Sequence, residues 1–153
     1  MRKNFLSKKP EDTLALGERL AVLLKPGDIV CLFGQLGSGK TVLTKGIAKG
    51  MGFKRNHVSS PTFTFLNIYE GMMSLYHFDL YRIEKSCELE GLGLEEFFYG
   101  KGVCVIEWAE RLGNFLPENY LEIKIQHKNE TTRAFFLSAK GTCSKELLKA
   151  VTP

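Results

Sequence analysis

A short apolar run followed at once by a glycine-rich segment constrains the fold of this 153-residue chain more than any other feature. Residues 29–33 read Ile-Val-Cys-Leu-Phe, a run too short for most helices and rich in residues that favour strands. Because the run is apolar throughout, we expect a strand buried on both faces. The glycine-rich segment then leads into a predicted helix over residues 39–51. This order of strand, loop and helix predicts an α/β fold with a parallel sheet at its centre.

The glycine-rich segment itself, residues 34–41, reads Gly-Gln-Leu-Gly-Ser-Gly-Lys-Thr and matches the phosphate-loop pattern Gly-x-x-x-x-Gly-Lys-[Ser/Thr]. Its glycines let the backbone curl so that successive N–H groups point at phosphate oxygens, beside the positive end of the following helix. Lys40 supplies a charge that reaches the β- and γ-phosphates, and the Thr41 hydroxyl is a hard oxygen ligand suited to Mg²⁺. The pattern predicts a binding site for a magnesium nucleotide.

Two carboxylates follow predicted strands, where an open α/β sheet places the groups that contact a ligand. Glu107 ends the apolar run of residues 103–106, so we expect it to serve as the acid near the metal. Asp79 ends the less uniformly apolar run of residues 75–78 and would contact the metal through water or orient an attacking water. For each acid, the alternative is a carboxylate that only caps a turn.

The sequence allows more than one role for four residues near these acids. His77 projects to the same strand face as Asp79, so it either orients that acid or is an ordinary hydrogen-bonded histidine. Trp108 is expected to be a core anchor. Arg82 and Arg111 either stabilise phosphate charge or lie in solvent.

The remaining elements are predicted from periodicity and from turn residues. The predicted helices lie over residues 13–24, from a cap at Ser86 through apolar residues as far as Phe98, and in a short final segment capped by Ser144. The predicted strands are β-prone stretches over 62–69 and 74–78, a strand over 103–106, a half-exposed strand over 121–126, and a strand over 133–139 that pairs back on it. We therefore predict a single phosphate-loop NTPase-like α/β domain over residues 1–153. Its mixed sheet is parallel at the centre, flanked by helices, and ends in an antiparallel C-terminal hairpin.

Composition excludes several classes of protein. With 44% hydrophobic and 25% charged residues the chain resembles folded soluble proteins, and no apolar run approaches the roughly 18 residues that a membrane-spanning helix needs. The four cysteines have no Cys-x-x-Cys spacing, and no histidine has a zinc-site spacing to them, so we expect reduced thiols. A cytosolic protein without a signal peptide is expected. The net charge of +4 only weakly suggests a polyanionic partner.

Four motifs in the same order resemble the bacterial TsaE family, the small ATPase component of the machinery that makes tRNA threonylcarbamoyladenosine. They are the phosphate loop of residues 34–41, Ser-Pro-Thr-Phe at 60–63, His-Phe-Asp-Leu-Tyr-Arg at 77–82, and Glu-Trp at 107–108. The phosphate loop occurs in many families, whereas the second and third motifs are more particular. Gln35 stands where many relatives have an acid, at a position that contributes mainly backbone.

The resemblance implies site residues, cofactors and partners. Thr41 and Glu107 would bind Mg²⁺, Asp79 would support hydrolysis and share the metal site, and residues 60–62 would respond to the γ-phosphate. Thr13 and Arg133 would lie around the base. The implied partners are protein subunits of the TsaD and TsaB type, with tRNA contacted within the assembly and no membrane involved. The residues implied to contact ATP are Gly34, Gly37, Ser38, Gly39, Lys40, Thr41, Val42, Thr62, Thr13 and Arg133.

Three functions are compatible with a phosphate loop in a chain of this kind. The first is an ATPase whose cycle drives or resets the tRNA-modifying complex, with Lys40, Asp79 and Glu107 as its catalytic residues. The second is a small-molecule kinase, and the third is a nucleotide-dependent switch with negligible turnover. The chain lacks the Asn-Lys-x-Asp motif common in guanine-nucleotide switches, which favours adenine. Its scattered arginines predict slow hydrolysis that rises when a partner supplies an arginine.

Overall fold

A seven-stranded mixed sheet organises the chain, in a computed structural model that describes residues 1–54, 58–59, 61, 64–142 and 144–152. The strands are β1 (Arg2–Ser7), β2 (Ile29–Phe33), β3 (Leu66–Tyr69), β4 (Leu75–Asp79), β5 (Val103–Glu107), β6 (Tyr120–His127) and β7 (Arg133–Lys140). The α-helices are α1 (Pro10–Ala21), α2 (Lys40–Gly50), α3 (Leu94–Phe98) and α4 (Ser144–Ala150). Two 3-10 helices lie at Ser86–Leu89 and Ala109–Phe115.

The strand order is β1-β7-β6-β2-β5-β4-β3. Strands β6, β2, β5 and β4 run parallel to one another, and β7, β1 and β3 join them in antiparallel pairs. The prediction of a centrally parallel sheet with an antiparallel C-terminal hairpin is therefore confirmed. Parallel strands bring their carboxyl ends to one edge, so the ends of β2, β4 and β5 are neighbours.

Two apolar clusters lie on the two faces of this sheet. One packs α1, α2 and α4 against Val30, Leu32 and the inward residues of β6 and β7. The other lies on the second face, mainly over β2, β4 and β5 and reaching Tyr120 at the start of β6, with Cys31, Cys104 and Ile106 among its buried members. The central strands are thus enclosed on both sides, which explains why residues 29–33 are apolar throughout.

Helices α1 and α2 are in close backbone contact because glycines stand where they touch. A Cβ on Gly17 would lie 2.5 Å from the carbonyl oxygen of Leu43, and a Cβ on Gly46 would lie 2.4 Å from that of Leu14. Distances below 3.0 Å do not occur between real Cβ atoms and such neighbours. The contact fixes α2, and with it the loop that precedes α2, against α1.

The structure corrects two sequence expectations and adds one strand. The helix expected after Ser86 is divided into a 3-10 helix and α3, because Gly91 and Gly93 lie between them with φ of 80° and 68°. The first helix occupies Pro10–Ala21 and not 13–24, since Pro10 stands at a helix start, where its missing N–H costs nothing. Strand β1 was not anticipated; it pairs with β7 over its whole length.

None of the described helices is both long and apolar enough to cross a bilayer.

Candidate phosphate-binding site

The loop between β2 and α2 has the backbone geometry that its glycines predict. Gly37 and Gly39 lie at φ of 75° and 108°, the left-handed region that other residues rarely adopt. Gly34 is needed for a different reason, because a Cβ there would lie 2.6 Å from Ser38 Oγ and 2.9 Å from the Ile125 carbonyl oxygen. Lys40 then begins α2, so the N–H groups of the first helical turn face the loop.

Lys40 is enclosed within this loop and almost inaccessible to solvent, with 5% of its surface exposed. Its Nζ donates to the carbonyl oxygens of Gly34 at 2.6 Å and Gln35 at 2.9 Å, and lies 4.1 Å from the centroid of the Trp108 ring. Desolvation lowers the pKa of Lys40, while the negative charges of Glu107, Glu110 and Asp79 oppose that shift. The ammonium group is thus held by backbone oxygens and an aromatic face, with acids nearby.

Glu107 lies at the end of β5 and is 2% exposed. Its Oε2 accepts a hydrogen bond from the Thr41 hydroxyl at 3.1 Å. Its Oε1 accepts from His77 Nε2 at 2.8 Å and from the Thr44 hydroxyl at 3.4 Å. The carboxylate is therefore fixed between the first turns of α2 and the neighbouring strand β4.

Asp79 lies beside Glu107, since the two are register partners at the ends of β4 and β5. It is 3% exposed, and its Oδ1 accepts a hydrogen bond from the Tyr81 N–H at 3.0 Å. The backbone N–H of Asp79 donates to the Phe65 carbonyl oxygen at 2.9 Å. The two acids predicted separately from strand ends are thus adjacent.

A cavity of about 460 Å³ joins these groups. Within the described residues its walls are formed by the loop, the first turn of α2, the two acids and two aromatic side chains. They are Leu36, Gly37, Ser38, Gly39, Lys40, Thr41, Val42, Asp79, Tyr81, Glu107 and Trp108. The Tyr81 and Trp108 rings pack with their centroids 4.9 Å apart and form an aromatic wall.

A second cavity of about 340 Å³ adjoins the first and shares Gly37, Ser38, Gly39 and Val42 with it. Thr13 and Arg133 line it, together with Ser7 and residues 8–10 and 130–131. Thr13 Oγ1 lies 2.8 Å from Ser7 Oγ, and Arg133 Nη1 donates to the Asn129 carbonyl oxygen at 3.0 Å. These two residues are therefore next to the loop although they are distant from it in sequence.

The oxygens of Thr41, Glu107 and Asp79 are of the hard type that Mg²⁺ prefers. Among the described residues, no group of three or more His, Cys, Asp or Glu side chains forms a complete metal site. In proteins Mg²⁺ keeps several waters and is bound by one or two carboxylates together with substrate phosphates. The donor set is thus compatible with Mg²⁺ bound along with a nucleotide.

Some site residues were not singled out by sequence reasoning. Thr44, which contacts Glu107, lies one turn after Thr41 on α2, and this spacing could have identified it from the sequence.

The outcomes for the remaining predicted residues differ. Trp108 packs partly against the core as expected, but its ring also covers Lys40. Arg111 does not line the first cavity; its Nη1 donates to the Ile83 carbonyl oxygen at 2.7 Å. The predicted residues Ser60 and Thr62 lie outside the described residues.

Comparison with known proteins gives a consistent result. The model of the family described as "Threonylcarbamoyl adenosine biosynthesis protein TsaE" matches residues 7–135. The chain is 45% identical over 133 residues to the tRNA threonylcarbamoyladenosine biosynthesis protein TsaE of Bacillus subtilis, a match covering 86% of this chain and 82% of that protein. It is 41% identical over 121 residues to the protein of the same name from Treponema pallidum, covering 79% and 89% respectively.

A solved structure is also similar over nearly the whole chain. The crystal structure of Bacillus subtilis YdiB superposes with a TM-score of 0.85 at 37% sequence identity, covering 97% of this chain and 93% of that one. The matched family region, residues 7–135, includes the phosphate loop, both acids and the aromatic wall of the first cavity. This chain belongs to the TsaE family of threonylcarbamoyl adenosine biosynthesis proteins.

Proposed function

We propose that this protein is a magnesium-dependent ATPase that acts as an accessory protein of the complex that installs the threonylcarbamoyl group on the adenosine next to the tRNA anticodon. The observation that carries the proposal is the contact of Thr41 with Glu107 beside Lys40, all lining one cavity. In this proposal the complex consists of proteins of the TsaD and TsaB type. The chain itself transfers no threonylcarbamoyl group.

The roles of the residues follow from their positions. The Lys40 ammonium would exchange its bonds to the Gly34 and Gln35 carbonyl oxygens for bonds to the β- and γ-phosphates. Thr41 and Glu107 would hold Mg²⁺, with Asp79 beside them orienting the attacking water. Bound Mg²⁺ supplies positive charge that stabilises the phosphate oxygens during transfer. Water would attack the γ-phosphorus as the bond to the bridging oxygen breaks, and ADP, phosphate and the proton lost from the water would leave.

Adenine is proposed as the base because the guanine-recognition motif is absent from the sequence. The second cavity adjoins the phosphate loop and presents Thr13 and Arg133, which supports placing the base there. Thr62 is assigned to the γ-phosphate from the family resemblance alone.

A need for a partner is supported by the charges around the first cavity. Among the described residues that line it, Lys40 is the only cation, whereas Asp79 and Glu107 are both acids. A phosphoryl-transfer site without a positioned arginine is slow, and an arginine supplied by a partner raises the rate by about 10³- to 10⁵-fold. We therefore expect weak hydrolysis by the isolated chain.

Phosphate release from ATP and from GTP tests this proposal. It would be measured for the chain alone and with TsaD- and TsaB-type proteins, each with and without tRNA. We expect slow release from ATP alone, a marked rise with the partner proteins, and a preference for ATP over GTP. Equal rates with and without partners would contradict the partner requirement. Tight ATP binding with no phosphate release in any mixture would contradict the ATPase and favour a binding switch.

A further inference from the structure

The sheet is covered on both faces only in its central part. On β6 and β7, the residues packed in the cluster of α1 and α4 are apolar, among them Ile123, Phe135 and Leu137, and Phe5 of β1 packs against them. The alternate residues Arg2, Asn4 and Leu6 of β1 are exposed, as are Lys124 and Gln126 of β6. Within the described part of the chain, these three strands therefore present a largely uncovered face on the side opposite α1 and α4, with Tyr120 and Glu122 at the start of β6 buried.

This uncovered face is strongly basic. We define the basic sheet face by Arg2, Asn4, Lys124, Lys128, Phe136 and Lys140. The register places Lys124 opposite Phe136, Phe136 opposite Asn4, and Arg2 opposite Ser138, so these residues form one continuous surface. The Lys128 ammonium lies 5.9 Å from the centroid of the Phe136 ring, which places it on the same side.

A buried acid organises two of the lysines. Glu122 is only 8% exposed, and its Oε1 lies 3.5 Å from Lys124 Nζ and 3.6 Å from Lys140 Nζ. The side chains of these lysines remain 55% and 40% exposed, so their ammonium groups are still accessible. The four cations of this face and the one carboxylate of Glu122 sum to a formal charge of +3. The whole chain has a formal net charge of +4.

We propose that the basic sheet face binds the sugar-phosphate backbone of tRNA. Charge complementarity selects a polyanion, since a second copy of this chain would bring the same positive charge against it. Lysine, arginine and asparagine side chains are common donors to phosphate and sugar oxygens, and an aromatic ring in a sheet offers a surface for an unstacked base. The identification of the RNA as tRNA rests on the proposed function.

The proposed RNA surface is separate from the nucleotide site. None of its residues lines either cavity beside the phosphate loop. Because β6 runs parallel to β2, Lys124 and Lys128 lie towards the loop end of the sheet, and Arg2 and Lys140 lie towards the other end. An RNA on this face would extend along the strands towards the loop without occupying the cavity.

Binding of an unmodified tRNA transcript to the full-length chain, without nucleotide, tests the proposal. Fluorescence anisotropy would be followed over a series of salt concentrations. One variant combines Lys124→Gln with Lys128→Gln, and a second combines Arg2→Gln with Lys140→Gln. The control combines Lys101→Gln with Lys145→Gln, two exposed lysines on other parts of the surface, and removes the same charge.

We expect each face variant to bind tRNA about 10-fold more weakly than the control at low salt. The slope of log K against log salt should also fall by about 1.5, because two phosphate contacts are lost. Equal binding by face and control variants would overturn the proposal, and so would the absence of tRNA binding by the unaltered chain. If the face variants lost association with TsaD- and TsaB-type proteins but bound tRNA as the unaltered chain does, the face would be a protein interface and the proposal would be overturned.

Phosphate release measured on the same variants separates this proposal from the ATPase. The face residues take no part in the nucleotide site, so hydrolysis by the isolated chain should be unchanged. If tRNA binding fails while partner-stimulated hydrolysis is present, only the RNA surface is wrong. If no ATP is hydrolysed but the face variants lose tRNA binding, only the ATPase is wrong.

Discussion

His77 and Glu107 share a buried hydrogen bond, in which the ring nitrogen Nε2 donates to carboxylate oxygen Oε1 at 2.8 Å. Their side chains are 0% and 3% exposed. His77 is the register partner of Val105 across the parallel strands β4 and β5, so the two side chains lie on the same face of the sheet. Glu107 follows Val105 by two residues along β5 and therefore lies on that face too. The other oxygen of Glu107 accepts the Thr41 hydroxyl. His77 therefore holds the carboxylate in the orientation in which Oε2 faces the first turn of α2.

Replacing His77 with leucine should misorient Glu107 and leave its Oε1 short of a donor. We expect a loss of about 1–3 kcal/mol in the free energy of unfolding, since a buried acceptor loses its main partner. Mg²⁺ should also raise the affinity for ATP by a smaller factor in this variant than in the unaltered chain. His77→Gln keeps an N–H donor of similar reach and should restore part of both properties. Urea unfolding and ATP titrations with and without Mg²⁺ measure them; wild-type values for the leucine variant would contradict the orienting role.

Glu107→Gln keeps the size of the side chain but removes its charge. Because the carboxylate is proposed to bind the metal, ATP binding without Mg²⁺ should be little changed, whereas turnover should fall by at least about 10-fold. Glu110→Gln is a matched control, since Glu110 is exposed and near Lys40 but does not line the cavity. ATP titrations and phosphate release distinguish the two variants. Similar turnover in both would argue against Glu107 as a metal ligand.

Gly46→Ala should destabilise the fold through the contact of α1 with α2. The added Cβ would lie 2.4 Å from the Leu14 carbonyl oxygen and 3.0 Å from its Cα, both backbone atoms that cannot move alone. We expect a loss of about 1–3 kcal/mol in the free energy of unfolding, as for other overpacked interiors. Lys49→Ala on the same helix removes only an exposed ion pair with Glu18 and should change stability by less than about 1 kcal/mol. Equal denaturation midpoints for the two variants would show that the contact accommodates the added methyl group and would contradict this prediction.

The buried thiols predict how stability depends on alkaline pH. Burial raises the pKa of Cys31 and raises that of Cys104 to about 12. An unfolded thiol loses its proton near pH 8.5 while these folded thiols keep theirs, so the folded state binds more protons above that pH. The free energy of unfolding should therefore fall as pH rises above about 8.5, by up to about 1.4 kcal/mol per pH unit for each thiol.

Alkylation provides an independent check on the same thiols. Iodoacetamide should modify the exposed Cys87 in the native protein well before Cys31 or Cys104, as read by peptide mass spectrometry. The Cys104→Ala variant should show a shallower decline in stability between pH 9 and 11 than the unaltered chain. An unchanged slope, or rapid native modification of Cys104, would show that this thiol is accessible.

The central part of the fold was predictable because its signals are local. Strand β2 has the predicted bounds, since a continuous apolar run is enclosed by turn residues on both sides. The phosphate loop was likewise recognisable from its spacing. Strand β1 was not, because Arg2–Ser7 is only weakly patterned and becomes a strand by pairing with β7, more than 120 residues later.

The contacts that complete the site were less accessible to sequence reasoning. Strand ends identified Asp79 and Glu107 as candidates, but their adjacency depends on β4 and β5 being neighbours in register. The bond between His77 and Glu107 depends on the same pairing. Glu122 lies in an alternating strand that predicted solvent exposure, yet it is buried beside the lysines of the basic sheet face. Charged residues from different strands can be assigned to one face of a sheet only when the order of the strands is known.

The most direct test of the phosphate site is an equilibrium titration of the chain with ATP and Mg²⁺, comparing Lys40→Ala with Lys49→Ala. Lys40 lines the cavity and Lys49 is an exposed lysine of the same helix. We predict that Lys40→Ala weakens binding by about 100-fold, since charge-assisted bonds to phosphate are lost, and that Lys49→Ala binds as the unaltered chain does. Wild-type affinity in Lys40→Ala, or no ATP binding by the unaltered chain, would contradict the account.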